Sequence, residues 1–325
     1  MGNRNSPHRR GLAIGCGGTL GAAWIVAALA AVRDVLDWDP READILIGTS
    51  AGAEYVTMLG SGVSVDELVA MQQGRSTHPV LAAHLRCGPG TFPPLPRPRL
   101  GAPLLPLRAP SGQRLLTAGS GLLPVGGGDA DWLQRLADRL NPGRAWVPHP
   151  ATWLVSMDYA TGQRVPFGAP HAPAASLGAA LRASWAVPGW LPPVTIGGRR
   201  YIDGGAGSTA SVDLLAAQDL DELIVLAPMA SAERVPATSP GHLLERQLRN
   251  RMSAKLAAEI AGLRAAGTEV LLLGATAADL AVMGPNFMDG SRRSDTFRHS
   301  LHSIRAELES HRAHSAGSIP QGAIA

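Results

Sequence analysis

Short apolar runs alternate with longer apolar-rich segments along the first part of the chain, a pattern that indicates strands followed by helices. Residues 11–14 are predicted to be a short buried strand, and residues 20–36 a buried helix that is apolar on nearly every side. Residues 43–47 are predicted to be a second strand, and residues 51–59 the helix that follows it. This alternation is typical of an α/β fold with a mostly parallel sheet.

The same pattern continues further along the chain. Ser64, with Glu67 three residues later, forms a capping box that predicts a helix over residues 63–73. Further helices are predicted over residues 131–140, 176–185, 242–266 and 295–311, and further strands over residues 153–157, 201–202, 223–227 and 270–273. Residues 1–10 are predicted to be a flexible basic arm, and the residues after 313 a frayed tail.

Residues 88–128 interrupt the alternation. They contain nine prolines, many glycines, several leucines and four arginines. This composition excludes a regular strand or a long helix throughout the segment. Two interpretations stay open: a surface loop or disordered insertion, and a lid or flap that contacts an acyl chain over a functional site.

The overall composition is that of a protein with a sizeable core, and it gives no support to a nucleic-acid-binding function. The 325 residues are 45% hydrophobic and 17% charged, which is enough apolar material for a sizeable core. The net charge of +3 is too small to predict a nucleic-acid partner, although it is compatible with a mild attraction to anionic lipid surfaces. The oligomeric state is left open.

The start of the chain is similar in pattern to a secretory signal peptide, because basic residues precede the apolar stretch 11–32. Glycines interrupt that stretch, so a strand, a loop and a helix explain it better. No later stretch reaches the roughly 18 uninterrupted apolar residues of a membrane span. The two cysteines, Cys16 and Cys87, favour a reduced compartment. We therefore expect a cytoplasmic protein, with at most peripheral and transient contact with a membrane surface.

The candidate nucleophile is Ser50 in the motif Gly48-Thr49-Ser50-Ala51-Gly52. The motif lies between a predicted strand and a predicted helix, the setting in which G-x-S-x-G presents a reactive serine. The flanking glycines allow a tight turn, and the helix N-terminus favours negative charge developing at the serine. The alternative is a strand-to-helix turn with a capping serine.

The candidate base is Asp203, which follows the strand-like Tyr201-Ile202 and precedes Gly204 and Gly205. A carboxylate can take a serine proton directly if desolvation raises its pKa. A plain Asp-Gly-Gly turn is the alternative. A catalytic triad would need a histidine instead, and the late histidines all fall in predicted helices or the tail: His242, His299, His302, His311 and His314.

The loop from Gly15 to Gly21 could donate backbone N–H groups to an oxyanion. The donors would be Gly17 and Gly18, with Thr19 as a further donor. A dinucleotide-binding loop does not fit, because Leu20 stands where the last glycine of G-x-G-x-x-G would fall. A phosphate-binding loop does not fit either, because the loop contains no lysine.

Together these motifs resemble those of the patatin-like phospholipases. The segment from Ala183 to Val194, which leads into Tyr201-Ile202-Asp203-Gly204-Gly205, is similar to that family's A-S-x-A-x-P-x-x-F-P-P segment before D-G-G/A. The resemblance spans residues 11–227. It implies a three-layer α/β/α fold with a mostly parallel central sheet. The hydrolase domain would cover residues 11–290, with 88–128 as its insertion or lid and 291–325 as a C-terminal amphipathic helix and tail.

The resemblance also implies a chemistry. Ser50 would attack the ester carbonyl of a lipid, Asp203 would act as the base without a histidine, and Gly17 and Gly18 would hold the oxyanion. No metal and no organic cofactor would be needed. The implied motif glycines are Gly15, Gly21, Gly48, Gly52, Gly204 and Gly205.

The chain departs from the family pattern at two positions of the glycine loop. Cys16 replaces the first glycine of G-G-G-x-[K/R]-G, and Leu20 replaces its basic residue. Losing that cation weakens the case for a phosphorylated head group, so we hypothesise faster hydrolysis of neutral or short-chain esters than of phospholipids. An acyltransferase with the same nucleophile and a non-catalytic lipid-binding protein are the alternatives.

Four further residues have both structural and functional interpretations. Trp185 and Trp190 could line an acyl pocket or form a buried apolar wall. Glu54 could tune Ser50 from one helical turn away or be an ordinary ion-paired carboxylate, and Arg182 could bind a head group or pair with an acid. None of the four is predicted to be catalytic.

Overall fold

The computed structural model describes residues 8–108, 114–231, 235 and 240–317. Most of the predicted N-terminal arm and the last eight residues of the predicted tail therefore lie outside the described residues.

The core of the fold is an eight-stranded sheet. The strands are β1 Arg10–Ile14, β2 Ile45–Thr49, β3 Thr152–Asp158, β4 Arg164–Phe167, β5 Val194–Ile196, β6 Arg199–Asp203, β7 Glu222–Ala227 and β8 Glu269–Gly274. Their order in the sheet is β5-β6-β3-β2-β1-β7-β8, and β4 also pairs with β3. Strands β1, β2, β3, β7 and β8 pair in parallel, whereas β4, β5 and β6 pair antiparallel. The prediction of an α/β fold with a mostly parallel central sheet is confirmed.

Helices connect the strands and cover the sheet. They are α1 Gly18–Leu36, α2 Ala51–Gly60, α3 Val65–Gln72, α4 Pro79–His84, α5 Leu105–Arg108, α6 Arg114–Leu122, α7 Asp131–Leu140, α8 Leu177–Ser184, α9 Pro240–Ala265, α10 Ala277–Met283 and α11 Arg293–Gly317. Helix α3 begins with the capping box predicted from Ser64 and Glu67.

Alternating side chains of the central strands enter two separate cores, because successive residues of a strand point to opposite faces. In β1, Leu12 and Ile14 join the core that contains α1, α2 and α11, and Ala13 joins the core beneath α9. In β2, Leu46 lies on the first face and Ile47 on the second. The sheet is therefore the middle layer of three.

Helix α1 is the central helix of the first face. It is long and apolar enough to cross a membrane, but most of it is buried inside the fold. It packs extensively against α11, whose Phe297, Ile304 and Leu308 enter the same core. The C-terminal helix therefore belongs to the layer that covers the sheet.

Two predicted boundaries are wrong at the ends of the chain. The arm was predicted to reach residue 10, yet Arg10 opens β1, and its Nε lies 2.6 Å from Glu222 Oε2. The Arg9 N–H also donates to Asp221. The tail was predicted to begin after residue 313, yet α11 continues to Gly317. Polar contacts at one end and continued helical hydrogen bonding at the other extend the ordered fold.

Candidate active site

The candidate residues meet at one end of the central sheet. In the parallel pair β1–β2, Ile14 lies opposite Gly48, so the loops after both strands emerge side by side. Two neighbouring residues of β3 mark this end of the sheet: Val155 pairs with Thr49 of β2, and Ser156 pairs with Asp203 of β6. The antiparallel strand β6 thus ends where β2 ends. The register of the sheet brings Asp203 to Ser50 although they are far apart in sequence.

Ser50 occupies a strained turn between β2 and α2. Its φ of 56° and ψ of −121° lie outside the regions that a side chain ordinarily allows. Its N–H donates to Ser184 Oγ at 3.0 Å, and the Ser184 hydroxyl donates to the Val155 carbonyl at 2.6 Å. Such strain at a buried serine after a parallel strand is the geometry of a nucleophile elbow.

The glycines on either side of Ser50 permit a very close approach of backbones. A Cβ on Gly48 would lie 2.4 Å from the Gly52 carbonyl oxygen. A Cβ on Gly52 would lie 1.9 Å from the Ile14 carbonyl oxygen, at the end of β1. Both contacts involve backbone atoms, so no side chain can move aside to relieve them.

Replacing Gly52 with alanine is therefore expected to destabilise the protein by about 3 kcal/mol or more. The matched control is Gly262→Ala, because Gly262 is exposed in α9 and no heavy atom lies within 4 Å of its added Cβ. That change should stabilise the helix by about 0.5–1 kcal/mol. Urea unfolding of both variants measures the difference, and equal stabilities would contradict this account of the turn.

Asp203 is buried beside the serine, and its exposed fraction is 5%. Burial raises the pKa of its carboxyl group from 3.8 to about 7, because desolvation disfavours the charged form. Hydrogen bonds from the Ser50 side chain and the Gly205 N–H act in the opposite direction and lower this pKa. The Gly205 bond to Asp203 Oδ1 is 2.7 Å long. The carboxyl group is thus oriented by two donors and poised to exchange a proton near neutral pH.

In the glycine loop after β1, some backbone N–H groups donate hydrogen bonds within the fold and others do not. The N–H groups of Gly15 and Cys16 donate to Leu226 and Thr209, each at 2.8 Å. Within the described part of the chain, the N–H groups of Gly17, Gly18 and Thr19 donate no hydrogen bond. These are the three donors predicted for the oxyanion.

The conformation of Gly18 explains a glycine at this point of the loop. Its φ is +58°, in the left-handed region. An added Cβ would also lie 2.6 Å from the Phe287 ring. The neighbouring Leu20 N–H donates to the Phe287 carbonyl at 2.9 Å. The connection between α10 and α11 therefore packs directly on the glycine loop after β1.

The remaining motif glycines form close contacts around the site. A Cβ on Gly205 would lie 3.0 Å from both Asp203 Oδ1 and Cys16 Sγ, so the loops after β6 and β1 touch. A Cβ on Gly204 would lie 2.7 Å from the Val155 carbonyl oxygen, and a Cβ on Gly21 would lie 3.2 Å from the Pro228 side chain.

Cys16 is the one cysteine near Asp203 among the described residues. Burial, and to a lesser extent the charge of Asp203, raises the pKa of its thiol to about 12. A neutral buried thiol is a poor nucleophile. Cys16 therefore packs the loop, 3.3 Å from Thr209 Oγ1, and Ser50 is the better candidate for attack.

Among the described side chains, no histidine is hydrogen-bonded to Ser50 or Asp203. His299, His302 and His311 lie on α11, and His299 Nε2 is 3.6 Å from Asp279 Oδ1. The side chains of His242 and His314 lie outside the described residues.

Glu54 faces a buried polar cluster. Its Oε1 lies 2.7 Å from the Nε2 of His84, a histidine that sequence reasoning overlooked because the pairing spans α2 and α4. Both residues, with Thr19 and Trp185, line a cavity of about 40 Å³ beside the site. Glu54 is thus hydrogen-bonded to His84 and makes no contact with the Ser50 side chain among the described hydrogen bonds.

The two tryptophans and Arg182 differ in burial and in their contacts. Trp185 is buried and packs edge to face with Trp132, with ring centroids 5.4 Å apart. Trp190 is half-buried at the turn before β5. Arg182 lies 3.9 Å from Asp131, a distant ion pair on the helix surface. Among the described residues no group of His, Cys, Asp and Glu side chains could hold a metal ion.

Ser184 is the site residue whose role sequence reasoning missed. It falls within the Ala183–Val194 segment, but only the structure reveals that its hydroxyl supports the Ser50 backbone. A buried serine at the end of α8, directly before the segment that leads to Asp203, was the available signal.

Comparison with protein families finds a match over much of the chain. The family model described as Patatin-like phospholipase matches residues 12–216. Among solved structures, VipD from Legionella pneumophila is similar over 94% of this chain and 68% of its own, with 14% sequence identity and a TM-score of 0.45. The search of curated proteins found no match.

Proposed function

Because this chain belongs to the patatin-like phospholipase family, a membership that broadly supports lipid acyl hydrolase activity, we propose that it cleaves carboxylic esters of lipids through a Ser50–Asp203 dyad. The observation that carries the proposal is the placement of the strained, buried Ser50 at the end of the sheet beside Asp203, a carboxyl group whose pKa burial raises to about 7. A serine needs a base and a stabilised oxyanion to become nucleophilic, and the site offers candidates for both.

Acylation would begin with attack of Ser50 Oγ on the ester carbonyl carbon. The serine proton passes to Asp203, and the carbonyl π electrons move to the oxygen. That oxyanion accepts hydrogen bonds from the unpaired N–H groups of Gly17 and Gly18, with Thr19 nearby. Collapse of the intermediate breaks the bond to the alcohol, which leaves with the proton from Asp203. The product is an acyl ester of Ser50.

Deacylation would repeat these steps with water. Asp203 takes a proton from the water molecule, whose oxygen attacks the acyl carbon, and then returns the proton to Ser50 as the fatty acid departs. The reaction requires neither a metal nor an organic cofactor. An alcohol in place of water as the acceptor would give acyl transfer.

The substrate preference extends the proposal. Leu20 is fully buried where the family pattern has a basic residue, so its side chain presents no cation to a head group. We propose that neutral or short-chain esters react faster than phospholipids. Fatty-acid release by the purified protein from a nitrophenyl ester, a triacylglycerol and phosphatidylcholine tests both claims. Release from none would contradict the function, and a clear preference for phosphatidylcholine would contradict the selectivity.

The rate should depend on pH through Asp203. Because burial raises its pKa to about 7, the carboxyl group is protonated and inactive as a base in acid and becomes competent as the pH rises. We expect kcat/KM for a soluble ester to rise about tenfold per pH unit below the midpoint and to level off above it. A profile that is flat from acid to neutral pH would show that another base operates.

A further inference from the structure

The described chain exposes its large hydrophobic side chains mainly in one place. Leu95 is 92% exposed and Phe92 is 77% exposed. Of the seven exposed large hydrophobic residues in the described part of the chain, six lie in this region: Phe92, Leu95, Leu100, Leu104, Leu122 and Leu123. Exposed apolar residues are ordinarily scattered singly, so a cluster of this kind indicates an interaction surface.

Backbone hydrogen bonds join two parts of this region. The Val125 N–H donates to the Arg99 carbonyl at 2.8 Å, and the Gly101 N–H donates to the Leu123 carbonyl at 3.0 Å. Leu100 forms an antiparallel bridge with Pro124. Residues 92–104 and 121–125, which we call the apolar flap, therefore lie side by side.

The charged residues within the apolar flap, Arg97 and Arg99, are both basic. Between Glu67 and Asp129 the sequence contains six arginines and neither aspartate nor glutamate. The whole chain has a net charge of only +3, so the rest of it is net negative. Arg97 and Arg99 on the flap are exposed, and neither has a carboxylate within ion-pair distance among the described residues. Such a surface complements an anionic partner.

The residues around the apolar flap are attached to both sides of the candidate active site. On one side, Leu105 packs with Ile202, the residue before Asp203. On the same side, Thr117 Oγ1 donates to the Ala206 carbonyl at 3.2 Å. On the other side, Asn286 Nδ2 donates to the Thr91 carbonyl at 3.0 Å, next to the Phe287 that covers Gly18. A surface that meets the flap therefore lies close to the dyad.

We propose that the apolar flap docks the protein on the surface of an anionic lipid bilayer. Phe92 and the leucines enter the interface between head groups and acyl chains, and Arg97 and Arg99 face anionic head groups. At membrane surfaces, the binding free energy from apolar burial adds to the binding free energy from attraction to anionic lipid. The proposal rests on the proposed function, because docking there would deliver lipid esters to Ser50.

Vesicle binding tests the proposal directly. The intact chain with Ser50→Ala, which leaves the lipid unhydrolysed, is sedimented with vesicles of phosphatidylcholine alone or mixed with phosphatidylglycerol. Adding Leu95→Ser and Leu100→Ser should weaken binding by about tenfold for each leucine removed. Adding Arg97→Gln and Arg99→Gln should weaken it by about fivefold for each arginine on anionic vesicles alone.

The matched control is Leu243→Ser, which removes the one described exposed leucine outside the flap and should leave binding unchanged. With Ser50 intact, the leucine variants should hydrolyse a soluble nitrophenyl ester at the normal rate, which shows that they fold. Failure of the parent chain to bind vesicles, or an equal loss with Leu243→Ser, would overturn the proposal. So would a dimer that the leucine variants dissociate while vesicle binding persists. Vesicle binding without any ester hydrolysis would refute the function and leave docking intact.

Discussion

Replacing Ser50 with alanine is expected to lower ester hydrolysis by about 10⁴-fold or more while leaving the fold intact. The hydroxyl is the group that would form the covalent intermediate, so removing it takes away the whole pathway. The alanine Cβ occupies the same strained turn, whose shape depends on Gly48 and Gly52. Steady-state hydrolysis of a nitrophenyl ester, together with thermal unfolding, measures both parts of this prediction.

Ser156 offers a matched control for this experiment. It is a fully buried serine on β3, paired in register with Asp203, and its Oγ has no hydrogen-bond partner among the described residues. Ser156→Ala should retain activity within about threefold, because it removes no bond that supports the dyad. Equal loss of activity in both variants would indicate general damage to the sheet end instead of loss of a nucleophile.

Replacing Asp203 with asparagine is expected to have opposite effects on activity and stability. Hydrolysis should fall by about 10³-fold or more, because the base is lost while its shape is kept. The free energy of unfolding at pH 8 should rise by roughly 2–4 kcal/mol, because one pKa unit corresponds to about 1.4 kcal/mol. The folded protein then no longer has to hold a buried carboxylate.

The direction of the stability change follows from the raised pKa of Asp203. In the unfolded chain the carboxyl group ionises near 3.8, and in the folded protein near 7. This group therefore does not lower the stability of the native protein below pH 4. As the pH rises from 4 through 7, the cost of ionising it in the folded state progressively lowers the free energy of unfolding. The difference between Asp203→Asn and the native protein should shrink to near zero at pH 4. Urea unfolding at pH 4, 6 and 8 measures it.

Asp158 supplies the contrasting control. It is also buried, but its carboxylate accepts bonds from the Arg199 side chain at 2.6 Å and from the Ala160 N–H at 2.8 Å. Asp158→Asn should therefore lower the free energy of unfolding at pH 8 by about 1–3 kcal/mol. A loss of stability in Asp203→Asn at pH 8 would show that its carboxyl group is not a strained, desolvated base.

Sequence patterns predicted the parts of this fold that depend on local information. The buried run of β1 and the apolar helix α1 followed from periodicity, and the turn at Ser50 followed from its glycines. The central parallel strands were found because both of their faces are buried, which leaves a continuous apolar signal. Strands β4 and β5 were missed, because they are short and partly exposed and carry no such signal.

The candidate site was only partly predictable for a related reason. Ser50, Asp203 and the glycine loop each sit in a recognisable local turn, so motifs located them. Their proximity depends on the register of β6 against β3, which no local pattern encodes. The support of Ser50 by Ser184 and the pairing of Glu54 with His84 likewise join residues distant in sequence.

In the segment 88–128, some features followed from local composition and others depended on contacts between residues distant in sequence. Its prolines correctly excluded a long regular element, but the short helices α5 and α6 within it were not predicted. Tertiary contacts such as the Tyr159 hydroxyl donating to the Ser120 carbonyl help hold this segment in place. Such contacts cannot be found from periodicity, because they involve single side chains from other elements.

Covalent labelling with a fluorophosphonate tests the central claim, an activated serine at Ser50, most directly. We expect a single adduct, which peptide mass spectrometry places on Ser50. Labelling should disappear in Ser50→Ala and slow strongly in Asp203→Asn. An adduct on a different residue, or equal labelling of the native protein and Ser50→Ala, would contradict the account.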